Sequence, residues 1–209
     1  MKMLFLGPPG SGKGTMAARL SALLGIPHVS TGDLFRENIN KQTPLGMKVK
    51  KTLDSGGLVS DEITVEILRT RLGLNDAIRG FILDGFPRTI HQADSLSKID
   101  NIDHAIELRC TREVLIRRLT GRRSCPVCRR IYHVDSMPSL VENICDEDGA
   151  QLYTRKDDNL ESVNRRLALY EKETRPLSDW YGAKGLLRFV NGSREADVVF
   201  EEIREIVDI

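Results

Sequence analysis

Short apolar runs punctuate the chain at Met3–Leu6, Phe81–Leu83, Ala105–Leu108 and Leu186–Val190, each closed by glycine or polar residues, which predicts buried strands. His28–Ser30 is a shorter candidate of the same kind. Between them, apolar residues recur at helical spacing over Gly14–Leu24, Leu45–Leu53, Asp61–Leu72, Glu113–Leu119, Leu160–Tyr181 and Ala196–Val207. Strands alternating with helices predict an α/β fold: a parallel sheet covered by helices on both faces, with ligands at the carboxyl ends of the strands. Residues 122–158 break the alternation, with little helical period, many turn residues and three of the four cysteines. They read as an insertion with its own means of staying folded.

Composition narrows the field. The chain has 209 residues, 40% hydrophobic and 29% charged, with 31 Lys+Arg against 30 Asp+Glu. That is an ordinary globular balance, and no overall basic excess draws it to nucleic acid or an anionic membrane. The longest apolar runs fall far short of the ~20 residues of a membrane span. Met1 to Gly7 gives way to glycine and proline too early for a signal peptide, and four cysteines are too few for a disulfide scaffold, so a reducing, cytoplasmic setting is expected. Charge is uneven locally. Residues 109–130 hold eight arginines, one acid and no lysine, whereas residues 131–160 hold seven acids against Arg155 and Lys156. Guanidinium groups suit planar, bidentate recognition of phosphate or carboxylate, so the arginine cluster marks candidate chemistry.

Directly after the first strand comes Gly7-Pro8-Pro9-Gly10-Ser11-Gly12-Lys13-Gly14-Thr15. Gly7, Gly12 and Lys13 match the phosphate-loop pattern G-x-x-x-x-G-K-[ST], with Gly14 next and the hydroxyl one place later at Thr15. Such a loop turns its backbone N–H groups toward a phosphate, the following helix adds its dipole, and Lys13 supplies a mobile charge. Asp84-Gly85-Phe86-Pro87-Arg88-Thr89 follows another strand, and an Asp at that position can orient magnesium through water. Ser30-Thr31-Gly32-Asp33-Leu34-Phe35-Arg36 follows the short strand candidate.

Taken together, GPPGSGKGT, STGDLFR, LDGFPRT with Gln92, and RKDD with Arg166 resemble the adenylate kinase family, in its long-lid, zinc-containing bacterial form. The resemblance runs from Met1 to about Gly192. It implies a P-loop NTPase core with a five-stranded parallel sheet over residues 1–29, 60–121 and 159–209. It also implies a helical AMP-binding segment over 30–59, a zinc-bound lid over 122–158, a monomer, and reversible transfer from MgATP to AMP giving two ADP. Carried over residue by residue, it puts Gly10, Ser11, Gly12, Lys13, Gly14 and Thr15 on the ATP phosphates. AMP falls against Thr31, Arg36, Leu58, Val59, Gly85, Phe86, Pro87, Arg88 and Gln92. Arg118 and Arg122 match lid arginines that reach ATP, with Ile131 and Tyr132 near the adenine. Arg155 and Arg166 match arginines shared between the AMP phosphate and the moving group. Arg194-Glu195 stands where the family more often has Lys-Pro, so only a backbone role at 194 carries over. Lys13, Asp84, Arg88, Arg118, Arg122, Arg155 and Arg166 form the expected catalytic set.

Cys125-Pro126-Val127-Cys128 and Cys145-Asp146-Glu147-Asp148 each place two candidate ligands two residues apart, a spacing that suits a structural zinc site. Asp148 has the matching offset for the fourth ligand, with Asp146 and His133 as alternatives. Closed four-coordination would make the zinc a fold element of the insertion rather than a reactive centre. Cys110 stands apart. Rival readings are a GTP-using AMP kinase, a UMP or CMP kinase, which generally has a short lid without metal ligands, and an ATP-switched zinc-ribbon nucleic-acid binder. The last would need an outward basic stripe with aromatics, and aromatics are only 5%.

Overall fold

Met3 and Phe5 pack into one hydrophobic cluster, and Leu4 and Leu6 between them into another on the opposite face of the same strand. The first apolar run is therefore a strand buried on both sides, as a parallel sheet requires. A computed structural model describes residues 1–209. In chain order its elements are β1 (Lys2–Leu6), α1 (Lys13–Leu24), β2 (His28–Ser30), α2 (Thr31–Asn40), α3 (Pro44–Asp54), α4 (Asp61–Leu72), β3 (Phe81–Asp84), α5 (Ile90–Ser97), β4 (His104–Arg109) and α6 (Arg112–Thr120). They continue with β5 (Arg122–Ser124), β6 (Ile131–His133), α7 (Leu160–Leu169), α8 (Leu177–Ala183), β7 (Leu187–Asn191) and α9 (Ala196–Ile206).

Five strands form one parallel sheet in the order β2-β3-β1-β4-β7. Helices α1 and α9 cover one face through Met16, Leu20, Val199 and Ile203; α5 and α8 cover the other through Leu96, Leu177 and Tyr181. The register pairs Ser30 and Phe5 with Asp84, and Arg109 with Asn191. The carboxyl ends of the strands therefore open along one edge, where the glycine loop, Thr31, Asp84, Cys110 and the 191–194 turn all emerge. No helix is long and apolar enough to cross a membrane.

Local polar residues set the helix starts. Ser30, Thr43, Thr89 and Asn159 each accept a hydrogen bond from the backbone N–H three residues on, and Pro44 follows Thr43 at the first helical position. Two of these caps open α2 and α5, helices whose short apolar faces give no clear period in the sequence. The long helix expected over Leu160–Tyr181 is interrupted. A π turn spans Tyr170–Thr174, where the Arg175 N–H bonds the Tyr170 carbonyl, and Pro176 cannot donate to a preceding turn. The insertion holds an antiparallel hairpin, β5 with β6, and a core of four buried residues: Cys125, Tyr132, Cys145 and Leu152.

Helices α2 and α3 meet backbone to backbone at Gly46, where an added Cβ would lie 2.2 Å from the Asn38 carbonyl oxygen. Gly46→Ala is expected to destabilise the protein by about 1–3 kcal/mol, the cost of overpacking a rigid contact. At this chain length that lowers Tm by about 2–4 °C per kcal/mol, measurable by calorimetry. An unchanged Tm contradicts the close approach.

Candidate active site

The glycine loop joins β1 to α1 with Gly7, Gly10 and Gly12 at positive φ, and Gly12 at φ 102° caps α1. Lys13 folds back over this loop, its Nζ donating to the Gly7 and Pro8 carbonyls at 2.8 Å each. Burial lowers its pKa from 10.5 to about 8, Asp84 opposing that shift. Gly14 breaks the general motif for a steric reason. A Cβ there would stand 3.2 Å from the Asp84 carboxylate, a tight contact, and the hydroxyl of the motif comes one residue on at Thr15. Burial works against the Asp84 charge, yet the His28 ring, 3.5 Å away, and Lys13 hold its pKa down at about 2. An ionised carboxylate and a threonine hydroxyl beside a phosphate loop form an all-oxygen donor set that fits magnesium.

Beside this loop lies a pocket lined by Thr31, Leu58, Val59, Thr64, Arg88 and Gln92, among others. Its free volume is about 30 Å³, room for a couple of waters. The Thr31 hydroxyl donates to the Gly85 carbonyl at 2.9 Å, and Arg88 Nε donates to the same oxygen at 2.7 Å. Arg36 grips Asp33, with Nη2 2.5 Å from Oδ1. Phe86 is wholly buried in the core cluster with Leu83 and Leu96, and the Phe86–Pro87 peptide is cis; neither residue lines the pocket.

Four further arginines converge from other segments. Arg122 makes a two-pronged pair with Asp158 at 2.5 and 2.8 Å, and Arg166 reaches Asp157 at 2.8 Å and Asp158 at 3.2 Å. Arg155 donates to Ser124 Oγ at 3.0 Å, and Arg118 to the Gly192 carbonyl at 2.7 Å. Burial lowers the pKa of Arg88 and of Arg155 to about 10, helped by neighbouring arginines: Arg166 and Arg36 for the first, Arg122 and Arg36 for the second. Both remain charged at neutral pH. Arg194 is exposed beside the 191–194 turn, donating weakly back to the Asn191 carbonyl. The acidic partners Asp33, Asp157 and Asp158 carry no role in the sequence reading. Only RKDD hinted at the last two, because a carboxylate's partner is set by folding rather than spacing.

The insertion brings Cys125, Cys128, Cys145 and Asp148 together, their ligand atoms all within 4.8 Å of one another. Cys128 and Cys145 sulfurs are 3.5 Å apart, and Cys125 Sγ is 3.1 Å from Asp148 Oδ2. Ligand atoms around tetrahedral zinc stand about 3.5–3.8 Å apart, so this group of three thiols and a carboxylate can hold the ion. The other two candidates are engaged elsewhere. Asp146 accepts from the Leu140 N–H, and His133 lies between the Arg117 carbonyl and the Asp135 N–H. Tyr132, expected near an adenine, turns its ring inward: its hydroxyl is 3.4 Å from Cys145 Sγ and accepts from the Asp146 N–H at 2.9 Å. Of Ile131–Tyr132, the Tyr132 ring is thus taken up by the core of the insertion, and Ile131 is half-buried.

A glycine loop with its lysine, an acid at the end of the neighbouring strand and a cleft of buried arginines define a P-loop phosphotransferase. A family model described as adenylate kinase matches residues 5–186, and the chain belongs to that family. It is 47% identical over 98% of its length to an adenylate kinase of Caldanaerobacter subterraneus subsp. tengcongensis, covering 95% of that protein. Similar figures hold for adenylate kinases of Acholeplasma laidlawii (46%, 99% of this chain, 98% of that one) and Bacillus subtilis (45%, 99% and 98%).

Two measurements follow from this geometry. Purified protein is expected to carry about one zinc per chain, and metal-stripped protein to melt several degrees lower; equal melting temperatures contradict a structural metal. Phosphates raise the pKa of a buried ammonium that starts at about 8. ATP binding above pH 8 is therefore expected to take up a proton and to weaken as pH rises, with Lys13→Arg flattening the profile. Calorimetry in buffers of different ionisation heat reads this directly, and no proton uptake in the unsubstituted protein contradicts it.

Proposed function

We propose that this chain transfers a phosphoryl group reversibly from MgATP to AMP, giving two ADP. The observation that carries the reading is the set of arginines from α2, the β3–α5 turn, the insertion and α7 gathered between the glycine loop and the Thr31–Gln92 pocket. Phosphoryl transfer needs no protein nucleophile; its transition state spreads negative charge over the moving group, and catalysis is alignment plus electrostatic stabilisation. In this reading Arg36 and Arg88 hold the acceptor phosphate. Lys13, Arg118, Arg122, Arg155 and Arg166 hold the donor chain and the moving group, with the 10–15 backbone wrapping the donor phosphates. Thr31, Leu58, Val59, Gly85 and Gln92 enclose the acceptor base, while the Ile131–Tyr132 backbone and the 191–194 turn flank the donor base. Asp84 and Thr15 orient magnesium, which when bound neutralises donor charge. Phe86 and Pro87 act from behind, fixing the turn that aims Arg88.

Residues 1–29, 60–121 and 159–209 form the core, 30–59 the AMP segment and 122–158 the zinc lid. Water is itself an acceptor, so transfer proceeds behind a closed lid. The protein works as a cytoplasmic monomer without nucleic acid.

Arg88→Ala and Arg166→Ala are each expected to lower ADP formation by about 10³-fold or more, with circular dichroism and Tm close to those of the unsubstituted protein. Near-normal turnover of Arg88→Ala with AMP contradicts the assignment. Assays pairing ATP and GTP with AMP, CMP, UMP and GMP test the base choice.

A further inference from the structure

Gln92 lies on α5, almost fully buried in the wall of the pocket assigned above to the acceptor base. Its amide is held at both ends by partners that can act in one sense only. The carbonyl Oε1 accepts from the Arg88 backbone N–H at 2.8 Å, and Nε2 donates to Asp61 Oδ1 at 2.7 Å. A backbone N–H only donates and an ionised carboxylate only accepts, so turning the amide over would set donor against donor and acceptor against acceptor. Asp61 is itself fixed in the first turn of α4. Its Oδ2 accepts from the Thr89 hydroxyl at 2.8 Å and lies 3.3 Å from His91 Nδ1.

We propose that Asp61 determines specificity for the 6-position of the acceptor purine by locking the Gln92 amide in one orientation. The inference rests on the AMP reading of this pocket. With one N–H and one carbonyl lone pair already committed, the amide has one donor and one acceptor left, side by side. An adenine edge offers the matching ring-nitrogen acceptor and 6-amino donor. A 6-oxopurine offers the reverse, a 6-oxo acceptor and an N1–H donor, and would be accepted only by a flipped amide. Asp61 and the Arg88 N–H prevent that flip, and of the two only Asp61 is a side chain open to substitution. It acts through Gln92 and touches no reacting atom, so it is a positioning residue.

The test uses AMP and IMP as acceptors, since they differ at the 6-position and N1 while IMP lacks the extra amino group of GMP. Asp61→Asn keeps the shape but allows its own amide to present either a donor or an acceptor to Gln92. It is expected to lower the ratio of kcat/KM for AMP over IMP by about tenfold, part of the discrimination a good bidentate base contact carries, since the Arg88 N–H still opposes the flip. The change should lie in the monophosphate KM, with the ATP KM in place. Asp61→Ser, whose hydroxyl also works both ways and suits a first helical turn, is expected to move the ratio in the same direction, and stands in should the Asn variant not fold. An unchanged ratio in variants that melt cooperatively and phosphorylate AMP overturns the proposal. An unsubstituted protein that ignores AMP would instead overturn the reading beneath it, and the proposal with it.

Discussion

Like charges drawn partly out of water repel, and Arg36, Arg88, Arg122, Arg155 and Arg166 all stand half-buried around one cleft with Lys13. Two unit charges ~7 Å apart at an effective dielectric of ~20 repel by about 2 kcal/mol, so an uncompensated cluster of this size would not stay assembled. The chain answers with internal counter-ions. Asp33 sits against Arg36, and Asp157 and Asp158 sit between Arg122 and Arg166. These carboxylates let a strongly cationic cleft exist without ligand. If phosphates bind there, as proposed above, they must displace groups already hydrogen-bonded in place, which favours release as much as capture.

The counter-ions explain the odd charge pattern of the sequence, where an arginine-rich stretch is followed by an acidic one. Read along the chain, only Asp146 and Asp148 among the acids after residue 131 have a spacing that suggests a role, and Asp157-Asp158 enter only as part of the RKDD motif. Folding sorts them. Asp148 joins the cysteine cluster, Asp158 is buried under Arg122, and Glu147 pairs with Arg130 outside. Glu147 and Asp148 are neighbours in the chain yet employed differently; spacing from Cys145 singles out Asp148, but nothing local tells which arginine Glu147 or Asp158 will meet.

What was legible in the sequence is what local geometry determines. The glycine loop, the cysteine pairs and the strand runs are short-range patterns whose spacing is itself the mechanism, and each lies where expected at the carboxyl edge of the sheet or in the insertion. What was hidden depends on long-range packing. Asp61 faces Gln92 across thirty-one residues of chain. Tyr132 turns inward because the insertion's core is only three other buried residues, Cys125, Cys145 and Leu152, and its ring is the largest apolar surface available to complete it. The π turn after α7 was hidden inside an apparent helical period, yet it sets Thr174, whose hydroxyl donates to the Arg88 carbonyl at 2.9 Å, and Tyr170, whose hydroxyl lies 3.3 Å from the buried Glu107. Irregular backbone here supports a site residue from behind.

The same reasoning bears on how the insertion moves. It touches the 30–59 segment through ion pairs, Arg129 with Glu37 at 2.8 Å and Lys156 with Asp54 at 3.7 Å, and these side chains are largely open to solvent. Exposed pairs of this kind contribute about 0–1 kcal/mol each. Arg129 reaches Glu37 from a left-handed backbone, φ 67°, a conformation that disfavours a side chain and offsets part of the gain. No apolar surface of the insertion's small core is spent on the contact, since Cys125, Tyr132, Cys145 and Leu152 pack on one another. Contact between insertion and AMP segment is therefore weak by construction. On the phosphoryl-transfer reading proposed above, the strong interactions available to a closed state are those between guanidinium groups and phosphate, so closure would follow the nucleotides and reopening their departure. On that reading a flap with a greasy underside would stay shut and trap its products, whereas one fastened by solvent-exposed charges would open again at little cost.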